Sequence, residues 1–194
     1  MNRSVLTKYI ICSLMSLMIF GAMMGVSGAS GTSANLYNPS EALDKLKSSN
    51  VRFSSGQSTH SNLSSERRKE VTTGGQHPFA TIIACSDSRV PVEIIFDQGV
   101  GDIFVIKVAG NVCNTDEIGS IEYGVDHLDT PVMVVLGHTN CGACTAVATG
   151  ADVHGCIPDL IAPINPALQK VYAAYPDLYG KDLVPALVEA NVWQ

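Results

Sequence analysis

Two short β-branched runs, each ending in residues of the kind that hold metals, constrain this chain more than any other feature. Phe79-Ala80-Thr81-Ile82-Ile83 reads as a buried strand and leads directly into Ala84-Cys85-Ser86-Asp87-Ser88-Arg89. About fifty residues on, Val132-Met133-Val134-Val135-Leu136 is a second such run, followed at once by Gly137-His138-Thr139-Asn140-Cys141-Gly142. If the two strands lie parallel and close, Cys85, Asp87, His138 and Cys141 meet at the carboxyl edge of a sheet, where open α/β sheets collect ligands. Two thiolates, an imidazole and a carboxylate suit a tetrahedral zinc site. Each piece alone is a weak signal, because a lone cysteine is usually a small core residue. Their shared position at strand ends carries the argument. Cys141 also precedes a helix start, where the dipole favours a thiolate.

Asp87 and Arg89 lie two apart beside the first ligand, so a carboxylate and a guanidinium can face each other near the metal. A structural zinc site takes four protein ligands; a catalytic one takes three and keeps a position open. Asp87 fits either plan, as fourth ligand or as a group released to Arg89. Read singly, Asp87 could cap the next helix and Arg89 could be a surface cation, but that leaves the cluster unexplained.

Strands and helices alternate through the middle of the chain. Residues 80–85, 103–108 and 132–136 read as strands, residues 91–96 as a short helix or turn, residues 116–128 as a helix and residues 142–149 as the start of the next. The expected stripe of the middle helix is Ile118, Ile121, Val125 and Leu128. Such alternation predicts an α/β fold, a mainly parallel sheet flanked by helices. An N-terminal helical arm precedes it. Asn38 can cap that arm, Pro39 suits its first turn and Glu41 completes a capping box, with the helix running through Ser54. A second, charged helix is expected from Ser65 to Thr73. The tail from Ile157 is helical in pattern but interrupted by Pro158, Pro163, Pro166, Pro176 and Pro185.

The first 29 residues are unlike the rest. Arg3 and Lys8 precede or open an apolar run through Val26, and Ser27-Gly28-Ala29-Ser30 offers small residues for cleavage. This is the outline of a secretory signal, with an uncleaved membrane anchor as the alternative. Residues 30–37 read as a flexible spacer and 38–194 as one domain. The expected location is periplasmic or extracellular, with membrane contact only through an uncleaved N-terminal segment. The formal net charge is −6, and losing the leader removes two bases and no acid. That balance argues against nucleic acid and anionic membrane surfaces as partners. Five cysteines remain after the leader, an odd number, so at least one sulfur is not in a disulfide within the chain. The pairing of Cys113, Cys144 and Cys156 stays open.

Cys85-Ser-Asp-Ser-Arg89, Ala109-Gly-Asn111, Gly119-Ser-Ile-Glu-Tyr123-Gly-Val and Gly137-His-Thr-Asn-Cys-Gly142 together resemble the β-class carbonic anhydrases, in the order and near the spacing of that family. The resemblance covers roughly residues 40 to 190 and points to an exported prokaryotic type. It implies one zinc ion per subunit on Cys85, His138 and Cys141, and a catalytic dyad of Asp87 and Arg89. Asp87 is also the residue that caps zinc in the family's closed form. Gln76 corresponds to the glutamine that holds bicarbonate, Phe104 and Tyr123 to pocket aromatics, some supplied by a partner subunit, and the Gly142 amide to a substrate contact. The implied reaction is hydration of carbon dioxide to bicarbonate and a proton by a metal-bound hydroxide, in a homodimer or larger homo-oligomer. No proton shuttle is singled out; His77, His127 and His154 qualify by residue type alone. Ile82 and Lys107 stand where one subgroup has a tryptophan and an arginine for regulatory bicarbonate, which points to the non-allosteric subgroup. Family members continue past a segment like Val184–Trp193 into another helix and a final strand, so the expectation is a domain short of its outer strand.

Three rivals remain. A non-catalytic zinc module would use Cys85, Asp87, His138 and Cys141 as a closed set. A carbon disulfide or carbonyl sulfide hydrolase would share fold and ligands. A thiol–disulfide protein would use Cys141-Gly-Ala-Cys144, but Cys141 would then abandon His138 and Cys85.

Overall fold

The computed structural model describes residues 8–10 and 36–194. The leader lies outside the described residues except for Lys8–Ile10, and so does the spacer up to residue 35. Among the described residues four strands form one sheet: β1 (Lys8–Ile10), β2 (Thr81–Cys85), β3 (Phe104–Val108) and β4 (Met133–Leu136). Their order is β1-β4-β2-β3. β2 pairs in parallel with both β3 and β4, and β1 runs antiparallel along the outer side of β4. β2 is therefore the central strand of the parallel core, and all five of its residues are buried. That explains its continuous apolar run, since a strand covered on both faces has no polar side to show.

Helices cover both faces. On one side lie α1 (Pro39–Ser54) and α3 (Val92–Ile95); Ala42, Leu46, Val92 and Phe96 pack against Ile82, Ala84, Val134 and Leu136. On the other side lie α5 (Gly142–Thr149), α6 (Ile157–Ile161), α7 (Asn165–Ala174) and α8 (Val184–Trp193). Their core joins Cys85, Cys141 and Cys144 to Ile164, Leu168, Val171, Leu183 and Leu187. Strand alternation thus sends Ile82 and Ala84 to one layer and Cys85 to the other.

α1 has the bounds its caps predict. The Asn38 side chain accepts from Glu41 N–H at 3.0 Å, and the Glu41 carboxylate accepts from Asn38 N–H at 2.9 Å. The charged helix, α2 (Ser65–Gly74), buries no residue. The expected helix over 116–128 differs. It is α4 (Thr115–Glu122) followed by a π turn over Tyr123–His127. Ile118 is 46% exposed, and no α4 residue is buried. The reason is Gly124. A Cβ there would lie 2.3 Å from Thr81 Oγ1 and 3.0 Å from Phe104 Cδ1, so the backbone of the turn, rather than an apolar stripe, packs on the sheet. Thr130 fastens that contact, donating its hydroxyl to the Gly124 carbonyl and lying 2.8 Å from the Thr81 hydroxyl.

The helical arm is tied to the domain through Asp97. Its carboxylate takes the Arg52 Nε–H at 2.7 Å, both the N–H and the hydroxyl of Thr59, and the His60 N–H. The Asp97 side chain is fully buried, and these donors hold it well below the usual carboxylate range. Its folded pKa lies below its unfolded value, so the stability it contributes is present above about pH 4 and is lost as pH falls. Replacing Asp97 with Ala removes the one acceptor shared by Arg52, Thr59 and His60 and should cost about 2 kcal/mol in urea unfolding at neutral pH. The difference from the parent should shrink as pH is lowered towards 3; a constant difference would contradict the assignment.

Candidate metal centre

The two strand ends meet as the sequence pattern requires. β2 ends at Cys85 and β4 at Leu136, one residue apart in register. The ligand atoms of Cys85, His138 and Cys141 all lie within 4.8 Å of one another. The two sulfurs are 4.0 Å apart. Two thiolates on a tetrahedral zinc at about 2.3 Å each would be separated by about 3.8 Å, so the pair already stands near the required spacing.

Each ligand is fixed by its neighbours. The Gly110 N–H donates to Cys85 Sγ at 3.2 Å. Gly110 has φ +71°, and a Cβ there would come within 2.9 Å of both Ala143 Cβ and Ile164 Cδ1, so this approach needs glycine. His138 Nδ1 lies 2.9 Å from the Thr139 carbonyl oxygen. A carbonyl only accepts, so Nδ1 carries the proton and Nε2 is left with its lone pair. Nε2 is buried and has no hydrogen-bond partner. An orphaned ring nitrogen facing two sulfurs is what a metal would satisfy, and the donor set fits zinc.

Cys141 is the N-cap of α5, with φ −63° and ψ 123°. The neighbouring Cys144, the polar first turn of α5 and the field of His138 outweigh burial and lower its pKa to about 5. Burial pushes the Cys85 thiol the other way, up from its ordinary value. Metal binding therefore finds Cys141 already a thiolate at neutral pH and must displace the proton of Cys85.

Asp87 stands apart from this trio and faces Arg89. Its Oδ1 accepts from Arg89 N–H and Nε–H at 2.9 Å each, and its Oδ2 from the second guanidinium nitrogen at 2.7 Å. Arg89 holds the carboxylate well below its usual range. The Asp87 Oδ2 is 3.9 Å from His138 Nε2, so it borders the site without closing it. Of the four residues that could ligate, the structure groups three. Arg89 also donates to the Asn140 carbonyl at 3.0 Å, and Lys107 Nζ donates to the carbonyls of Asp87 and Val90. Neither clamp was legible in a motif, although Lys107 is the lone charge in the apolar strand Phe104–Val108.

The remaining site residues divide. Gly142 is the first residue of α5, beside Cys141, with open space where a Cβ would project. Gln76, Phe104 and Tyr123 are elsewhere. Phe104 pairs with Thr81 at the amino end of the strands, and Tyr123 packs on it with ring centroids 6.0 Å apart. Gln76 precedes the same end. Cys85 is four residues along β2, about 13 Å away at strand rise. Within one subunit these three cannot touch the trio. His77 and His127 are exposed, and His154 is 85% exposed in its side chain. The cysteines 85, 113, 141, 144 and 156 are all free thiols.

Cys85→Ser and Cys141→Ser should each abolish stoichiometric zinc, measured by atomic emission after desalting. Arg89→Ala should keep the metal. Full zinc in either serine variant would contradict the ligand set.

Comparison with known proteins agrees with this geometry. A sequence family described as carbonic anhydrase matches residues 80–194. The carbonic anhydrase of Mycolicibacterium smegmatis is 42% identical over 135 residues, spanning 68% of this chain and 65% of that protein. Carbonic anhydrase 2 of Mycobacterium tuberculosis matches to the same extent. Among solved structures, the β-carbonic anhydrase CafA of Aspergillus fumigatus superposes with a TM-score of 0.58 at 30% identity, covering 79% of this chain and 71% of that one. Fold, ligand trio and sequence likeness converge, and the chain belongs to the β-carbonic anhydrase family.

Proposed function

We propose that this chain hydrates carbon dioxide reversibly to bicarbonate and a proton. The observation that carries the reading is a trio of metal ligands whose neighbouring carboxylate is ionised and turned to Arg89 rather than into the trio. A structural zinc site would use a fourth protein ligand. Here three ligands gather and a position beside them stays free for substrate chemistry, which favours the enzyme over the non-catalytic module.

Cys85, His138 and Cys141 would hold zinc. When bound, zinc supplies Lewis acidity that brings the pKa of water down to about 7. The protein's part is orientation. Asp87 is ionised across the neutral range and can only accept hydrogen bonds. Three are taken by Arg89, and Oδ2 keeps a lone pair on the side of His138. There it accepts an O–H of the attacking water and aims that oxygen's lone pair at the carbon of carbon dioxide. The new C–O bond gives bicarbonate, and one proton leaves to solvent. The Gly142 N–H, one of the free donors of the first turn of α5, would face the product oxygens.

The active unit would be a homodimer or larger assembly. β3 is an edge strand whose apolar residues are only half-buried, and α4 beside it buries none of its own. Antiparallel pairing of β3 with β3 of a second copy would set the amino end of one sheet against the carboxyl end of the other. Gln76, Phe104 and Tyr123 of one subunit would then line the metal site of its neighbour. Export is proposed on the composition of the first 29 residues. Among the described residues no helix is long and apolar enough to cross a membrane. Cleavage after Ala29 would remove β1 and open the outer edge of β4.

Stopped-flow hydration of carbon dioxide by the zinc-loaded protein tests the activity, with Asp87→Asn expected to lose at least about 100-fold while retaining zinc. An inactive zinc-loaded parent would overturn the reading in favour of a zinc module. Subunit sharing has its own test. Cys85→Ser and Gln76→Ala should each be impaired, yet refolding them together should restore roughly a quarter of parental activity through mixed dimers with one intact site. No recovery in a verified mixed dimer would rule out sharing.

A further inference from the structure

We infer that Asn191, on the inner face of α8, is a positioning residue for the Cys85 sulfur and acts through the Gly110 peptide. This rests on the metal reading above and adds a role for a helix which that reading leaves unused. Asn191 is 7% exposed. A buried amide costs free energy unless it is bonded, and its Nδ2 donates to the Gly110 carbonyl at 2.8 Å. A carbonyl only accepts, so the nitrogen end of the amide is the one turned inward. Its oxygen end accepts from the Gln194 side chain at 3.5 Å. Across the same glycine, the Gly110 N–H donates to Cys85 Sγ at 3.2 Å. Gly110 thus stands between an amide that holds its carbonyl and a sulfur that receives its N–H.

Gly110, at φ 71° and ψ 13°, has little restraint of its own. Its N–H and C=O lie in the two rigid peptide planes that flank one Cα, so φ and ψ alone decide how both are aimed. Fixing the carbonyl from α8 removes that freedom and keeps the N–H on the sulfur. The helix itself is firmly seated. Leu187 is fully buried, in the same core layer as Cys85 and Ile164. Val188 and Val192 lie against Gly137, where a Cβ would meet Val192 Cγ2 at 2.7 Å and Val188 Cγ1 at 3.2 Å. Val188, Asn191 and Val192 are spaced i, i+3 and i+4, which places them on one helix face. That face therefore touches both the backbone before His138 and the backbone that holds Cys85. Asn191 is its polar member, and its bond is the one that leads to a metal ligand. The chemical consequence concerns charge. A thiolate that receives an N–H donates less electron density to a metal, and its lone pairs are better aimed. Asn191 keeps that N–H in place.

Cobalt replaces zinc in the test, because sulfur-to-cobalt charge transfer reports the donor strength of each thiolate. Releasing the Gly110 N–H raises the energy of the Cys85 lone pair and moves its band to longer wavelength. Asn191→Leu keeps the volume without the donor. Asn191→Ser is polar but falls short of the carbonyl, so failure of the apolar variant to fold leaves the test standing. Val184→Ala, two helical turns before Asn191 at the start of α8, controls for a loosened helix. The expected result is a red shift in Asn191→Leu and Asn191→Ser and the parental band in Val184→Ala. Zinc affinity in chelator competition should fall about tenfold in the two Asn191 variants. No shift in either Asn191 variant would reduce the residue to a satisfied core amide. An equal shift in Val184→Ala would assign the effect to the packing of α8 and overturn the role of Asn191. A parent without any thiolate band would overturn the metal reading and this inference together, whereas a parental band that both Asn191 variants retain overturns the inference alone.

Discussion

The guanidinium of Arg89 is the contact on which the rest of the site depends. It grips both oxygens of Asp87, in the loop that leaves β2, and it reaches the carbonyl of Asn140, in the loop that leaves β4. One side chain thus joins the two segments that carry the ligands. It also decides what the carboxylate does. Bidentate pairing with Arg is geometrically demanding, and it holds Asp87 ionised and turned away from the trio. Without that grip the same carboxylate is close enough to become a fourth ligand. Lys107 supports the arrangement from β3 by holding the carbonyls of Asp87 and Val90, so three parallel strands all contribute to one loop's conformation.

The sheet explains why the metal ligands lie where they do. β2 and β4 are adjacent and parallel, so whatever follows them in sequence emerges side by side. The third element, α5, starts just after Cys141, its N-cap, so the unpaired N–H end of the helix lies next to that residue in the chain. A thiolate, an imidazole fixed by the Thr139 carbonyl and a buried cysteine fixed by the Gly110 N–H therefore need no flexible segment to assemble. The same sheet separates the trio from Gln76, Phe104 and Tyr123, which sit at its other end.

This contrast marks what the sequence could and could not disclose. α1 was legible to the residue because its signals are local: Asn38, Pro39 and Glu41 satisfy the helix start without help from the rest of the fold. The trio was legible because each ligand follows a strand whose apolar run is plain. The helix over 116–128 was not, because a glycine packing against Thr81 outweighed an apolar period and a π turn shifted the stripe. Gln76, Phe104 and Tyr123 could be matched to motifs, but their distance from Cys85 depends on strand direction and register, which no motif states. Cys144 could be noticed only as half of a C-x-x-C pair, whereas its burial in the layer of α5 to α8 is a tertiary fact.

The central claim is that three residues of this chain hold zinc and that Asp87 does not. X-ray absorption at the zinc edge of the full chain, at neutral pH, tests it most directly. The account predicts two sulfurs at about 2.3 Å, one imidazole nitrogen at about 2.0 Å and one further light atom, with a spectrum that Asp87→Asn leaves unchanged. A shell of three sulfurs, or a light-atom shell that disappears in Asp87→Asn, would contradict it.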